Sequence, residues 1–191
     1  KIAPTTFKGH ASEELCAVYP LGDPHLGMKD LINDGWDLKI AETVFLGVFD
    51  RLVKSAPSCK ESVIVNLGDY FHYDNAVLKQ TMRSGHHLDT DGHYMEMIRT
   101  GIKIMKQMIK SALDHHETVH VINVIGNHDD SGAMSLSIFL DEMYENEPRV
   151  TVDTERTEFN YYTFGNTLIG AHHGHNCKPA NLPLLMAVDR S

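Results

Sequence analysis

Cysteine is scarce in this chain: Cys16, Cys59 and Cys177 are the only three in 191 residues. No two are spaced as C-x-x-C and the count is odd. A reduced, cytoplasmic setting is therefore the expectation over a disulfide scaffold. No apolar run approaches the ~20 residues of a membrane-spanning helix, so no membrane partner is expected. Positive charge is in deficit as well, with Lys and Arg at 17 against 26 Asp and Glu and a formal net charge of −9. That balance gives no general basic footprint for nucleic acid, although bound cations would reverse the sign locally. Repeats and low-complexity linkers are absent. What is present is 42% hydrophobic residues in a chain long enough for one good core, which predicts a single domain over residues 1–191.

Short apolar runs alternate with helical periodicity. Residues 15–19, 62–67, 119–125 and 167–171 read as buried strands. Between them, Ile40, Val44, Val48 and Leu52 keep i, i+4 spacing over residues 38–54, and Ala56-Pro57 ends that helix. Over residues 94–113 a second stripe runs through Ile98, Ile102, Met105, Ile109 and Leu113, with Met95, Met97 and Met108 beside it. Such a methionine-rich stripe reads as core. A third helix is expected over 135–145, then strands over 149–152 and 158–164, with Gly165-Asn166 turning into the strand before His172. The order β-α-β, insertion and helix, β-α-β-β-β predicts an α/β fold.

The strand ends carry the chemistry. In turn they deliver Gly22-Asp23-Pro24-His25, Gly68-Asp69, Gly126-Asn127-His128-Asp129 and His172-His173-Gly174-His175. An Asn offers a neutral oxygen to a metal, a His offers a ligand or a proton, and an Asp can orient that His. The glycines let backbone crowd a shared centre. Any one of these strings is ordinary turn material; the ordered series is what singles out a site. Adjacent strand residues face opposite ways, so only one of His172 and His173 turns inward, and His173, directly before Gly174, is expected there.

The series D-x-H, G-D, G-N-H-D, H-G-H resembles, in the same order, the motif set of the calcineurin-like metallophosphoesterases, across about residues 18–175. The resemblance implies a β-sandwich flanked by helices, classed α/β or, in some schemes, α+β. It implies phosphoester hydrolysis by a water or hydroxide bridging two divalent metal ions. On that reading Asp23 and His25 bind the first metal, Asp69 bridges both, and Asn127 with His173 bind the second. His128 would face the leaving group, with Asp129 as its orienting partner. Mixed imidazole and oxygen ligands suit Mn²⁺, with Fe²⁺ or Zn²⁺ as alternatives. Phosphodiesters lead among substrates, nucleotide or nucleic acid included. A phosphomonoesterase or protein phosphatase of the same family, or an inactive metal-binding scaffold, stays open.

The family pattern closes with a later G-H-x-H motif, and none follows His175. The expectation is a chain incomplete at its C-terminus, with weak or single-metal occupancy. The segment His173-Gly174-His175-Asn176-Cys177-Lys178-Pro179 is similar to members associated with phages and prophages.

Residues 70–93 form the insertion. Rich in His, Asp and Gly, they are read either as a loop near the metals, touching phosphate through His72, Arg83 or His86, or as a solvated loop that turns the chain and caps the next helix. His175 is expected to shape the pocket or meet phosphate. His10, His93, His115, His116 and His120 have no motif support, and surface or helix-end roles suffice for them.

Overall fold

In the computed structural model, which describes residues 1–30, 35–81 and 84–189, four parallel strands lie side by side in chain order. They are β1 (Ser12–Leu21), β2 (Cys59–Asn66), β3 (Thr118–Asn123) and β4 (Val150–Val152). Between them run α1 (Leu38–Ser55), α2 (Tyr94–His115) and α3 (Asp130–Tyr144). Parallel crossovers are nearly always right-handed, and strands laid down in one direction then send every helix to the same face. The core agrees: Tyr19, Ile64, Val119 and Val121 of the strands pack with Phe49 and Val53 of α1, Met105 and Ile109 of α2, and Leu136 and Leu140 of α3. Burying each such large side chain is worth about 1.5–3 kcal/mol.

Strand alternation leaves a second apolar surface on the opposite face. Val63, Val65, Ile122 and Val124 meet Ala171, with Tyr162 packed against them. These last two come from an antiparallel pair, β5 (Asn160–Phe164) and β6 (Thr167–Ala171). Two polar contacts join the pair to the sheet: Tyr162 stacks on His120 at 4.8 Å, and its hydroxyl donates to Glu61 Oε2 at 2.6 Å. The architecture is mixed α/β, with helices on one face of a parallel sheet and a two-stranded antiparallel unit on the other. Beyond it a 3₁₀ turn, Pro179–Asn181, leads into α4 (Leu182–Asp189), which the apolar stretch 184–188 did not announce.

Three details depart from the periodicity. The stripe Ile40, Val44, Val48 and Leu52 lies half-exposed, at 37–46% of full accessibility. α1 is apolar on more than one side, and the face carrying the bulky Phe49, with Leu38, Ala41 and Val53, takes the core instead. Met95 is likewise exposed, while Met97, Met105 and Met108 are buried as expected. α3 begins at Asp130, five residues ahead of its expected start, because Asp74 caps it from the insertion: Oδ2 accepts from Ser131 N at 2.5 Å and Oδ1 from Gly132 N at 2.8 Å.

For the site, register matters most. Leu21 pairs with Asn66 and Asn66 with Asn123, so β1, β2 and β3 end level with one another. Chain leaving these ends enters one crevice, where open α/β sheets place their ligands.

Candidate metal centre

Past the ends of β1 and β2 the two loops zip together. His25 N donates to Asp69 O at 2.8 Å, Leu26 N to Tyr70 O at 2.8 Å and His72 N to Leu26 O at 2.9 Å. This extra ladder forces unusual backbone: Asp23, His25 and Asp69 all have positive φ, of 46°, 42° and 50°. Left-handed conformations of ordinary residues cost on the order of 1–3 kcal/mol and gather at functional sites.

Asp69 is the hub. It is buried, its Oδ1 accepts from His128 N at 2.9 Å, and its Oδ2 lies 3.3 Å from His173 Nε2, 3.7 Å from His25 Nε2 and 3.9 Å from His128 Nε2. Gly126 makes the approach feasible, because a Cβ there would strike both Asp69 Oδ1 and Asp69 N. Gly68, at φ 100°, gives His173 the same clearance, since a Cβ would come within 2.7 Å of its Nδ1.

Each imidazole presents one nitrogen to the hub and anchors the other. His173 Nδ1 donates to Leu67 O at 2.9 Å, leaving Nε2 facing Asp69 Oδ2 and, at 3.1 Å, Asn127 Oδ1. His128 Nδ1 donates to the His72 carbonyl at 2.8 Å. Anchoring one ring nitrogen to a carbonyl so that the other offers a lone pair is how metal-binding histidines are held. Donor atoms of Asp23, Asp69 and His173 lie within 4.8 Å of one another, as do those of His25, His72 and His128. This set of imidazole nitrogens and carboxylate oxygens fits divalent transition cations.

The charge balance shows in the titrations. Burial works to raise the Asp69 carboxyl, but the hydrogen bonds from His173 and from His128 N outweigh it and hold the group below the usual carboxylate range. Asp69 in turn pushes His173 up to about 9. Burial lowers His25, against the pull of Asp69, and burial with the neighbouring His25 and His128 takes His72 down to about 4.

The expected residues thus separate into groups. Asp23, His25, Asp69, Asn127, His128 and His173 converge. His173 turns inward, while His172 stacks on Phe159 at 4.5 Å. His175 lies beside the centre, its ring 5.2 Å from that of His173. Asp129 does not orient His128. Its fully buried carboxylate sits behind Asp69, accepting from Asp69 N at 3.2 Å, Gly126 N at 3.3 Å and Phe71 N at 3.0 Å. Burial, with the nearby Asp69 and Asp74 charges, pushes it up to about 7. The partner of His128 is a main-chain carbonyl, which no motif can advertise.

The insertion divides in two. Tyr70, Phe71 and Tyr73 are core residues, and His72 enters the centre. His86 does not enter it: it is exposed and tied to Thr81 and Ser84 within its own turn. Arg83 lies outside the described residues. No family model, no curated protein and no solved structure matches the chain.

Proposed function

We propose that the chain is a metal-dependent phosphoester hydrolase of calcineurin-like metallophosphoesterase type, holding two divalent cations with Mn²⁺ favoured, and acting on phosphodiesters before monoesters. The observation that carries this reading is Asp69, a buried carboxylate ringed by imidazole nitrogens from three other loops. The parallel sheet, with an antiparallel pair packed on its other face, is compatible with a sandwich of that family.

Asp23 and Asp69 have only histidines as ion-pair partners among the described residues. Alone, such a site repels an anionic ester. Divalent cations held there by Asp23, His25, Asp69, Asn127 and His173 would supply charge neutralisation for the ester and a water acidified enough to attack at neutral pH. Asn127 adds an oxygen without adding charge. His128 is anchored through Nδ1, so in its cationic form Nε2 would be the atom that gives a proton, or a hydrogen bond, to the departing oxygen. Asp129 holds Asp69 and the Phe71 backbone in register behind the centre and touches no substrate.

Metal-stripped protein given Mn²⁺ is expected to hydrolyse bis-p-nitrophenyl phosphate faster than p-nitrophenyl phosphate. His128→Ala is expected to lower turnover by about 10²–10⁴-fold while keeping its metal. Absence of metal-dependent hydrolysis of either ester would count against the enzyme reading, and a monoester preference against the substrate class.

A further inference from the structure

His25, His72 and His128 each bring one nitrogen within 4.8 Å of the other two, a group that shares no residue with Asp23, Asp69 and His173. They stand on the loops that follow three different strands, β1, β2 and β3. His72 Nδ1 and His25 Nδ1 are 3.2 Å apart. Nitrogens bound to one tetrahedral zinc at ~2.0–2.1 Å stand about 3.3–3.4 Å from each other, so this pair already has the spacing of two ligands on one cation. The His128 ring completes the set, 4.7 Å from that of His25 and 5.5 Å from that of His72 between centroids. Backbone holds the group together: His128 Nδ1 meets the His72 main-chain oxygen at 2.8 Å, and His72 N is fastened to Leu26 O at 2.9 Å. His72 is nearly sealed, at 6% of full accessibility, whereas the side chains of His25 and His128 keep 21% and 15%, so a cation can enter from their side.

We propose that His25, His72 and His128 form a separate, all-nitrogen cation site that takes Zn²⁺ in preference to Mn²⁺. Donor chemistry divides it from the Asp69 side of the centre. Imidazole nitrogens favour zinc, whereas carboxylate oxygens suit manganese. Three histidines are also a protein's usual contribution to an open zinc site, the fourth place going to water or a ligand. Zinc held there takes up His25 and His128, both of which Mn²⁺-dependent turnover needs, so it should inhibit. That inhibition rests on the hydrolase reading; the binding does not.

Calorimetric titration of the metal-stripped protein should rank the two metals in opposite orders. His72→Ala should weaken Zn²⁺ by about 100-fold or more, as on losing one of three ligands, and Mn²⁺ far less, while Asp69→Asn should weaken Mn²⁺ more than Zn²⁺. In wild type carrying one ¹¹³Cd²⁺ in place of zinc and ¹⁵N in its histidines, cadmium should couple to His25, His72 and His128 and not to His173. That result needs no variant to fold. Coupling to His173 without His72, absence of Zn²⁺ and Cd²⁺ binding, or the same ranking for both metals overturns the proposal. Zinc seated on the three rings of a protein that hydrolyses no ester leaves the site standing and sinks the hydrolase reading; Mn²⁺-dependent hydrolysis with no metal on His72 does the reverse.

Discussion

His116 and His173 are both withdrawn from solvent, and their surroundings drive them in opposite directions. At the joint between α2 and β3, His116 closes its own network: Nδ1 accepts from Cys59 N at 3.1 Å and Nε2 meets the Tyr19 hydroxyl at 2.6 Å. With no carboxylate beside it, burial takes it down to about 4, and it stays neutral. At the strand ends His173 is as firmly anchored on one side, but its free nitrogen faces only oxygens, and Asp69 lifts it to about 9. Burial alone therefore does not mark a functional histidine. An open network does, one whose imidazole nitrogens and carboxylate oxygens converge where a cation could take the place of a proton.

The open network is most vulnerable at Gly126. Gly126→Ala drives a methyl into Asp69 and its backbone, neither of which can yield, so we expect about 3 kcal/mol of destabilisation in denaturant unfolding and loss of metal binding. The same methyl added at a surface glycine such as Gly22, where nothing lies within 4 Å, should leave metal binding intact.

Acid should act on the closed network next. The folded His116 value of about 4 lies below the ~6.5 of an unfolded histidine. The unfolded chain therefore takes up a proton first as pH falls. Stability is full above about 6.5 and declines towards 4, by about 2–3 kcal/mol if His116 acted alone. His116→Asn, with an oxygen in place of Nδ1, should show a flatter profile in pH-dependent unfolding.

At the open network the sign reverses. Metal-free His173 keeps its proton until about pH 9, so a cation has to displace it. Mn²⁺ affinity should rise about tenfold per pH unit from 7 to 9, roughly 1.4 kcal/mol each, and this slope should be lost in His173→Ala. The smallest effect belongs to the surface: Val48→Ala, on the exposed stripe of α1, should change stability by no more than about 0.5 kcal/mol.

Much of the fold was legible because its signals are local. Residues 62–67 and 119–125 are apolar runs bounded by glycine, and both are central strands of the sheet. The residues of the centre were legible for the same reason, each lying within six positions of a strand end. What escaped notice depends on partners far away in the chain. Asp74 caps a helix 57 residues on, and the carbonyl that anchors His128 belongs to a residue 56 positions earlier. Asp129 sits beside His128 in sequence yet bonds to Asp69 and Phe71, because α3 starts there and turns its carboxylate inward. For α1, periodicity marked an apolar stripe, but a helix apolar on several sides lets bulk decide which one is covered.

Asp69 is the shared hub of the candidate metal centre. Mn²⁺ binding counted by electron paramagnetic resonance, in metal-stripped wild type and in Asp69→Asn, tests this most directly. Two equivalents in the wild type, with both weakened by about 100-fold or more in the variant while its metal-free fold persists, is the expected result. A wild type that takes up no Mn²⁺, or an Asp69→Asn protein that binds it as tightly as the wild type, would rule out Asp69 as the hub of a metal site.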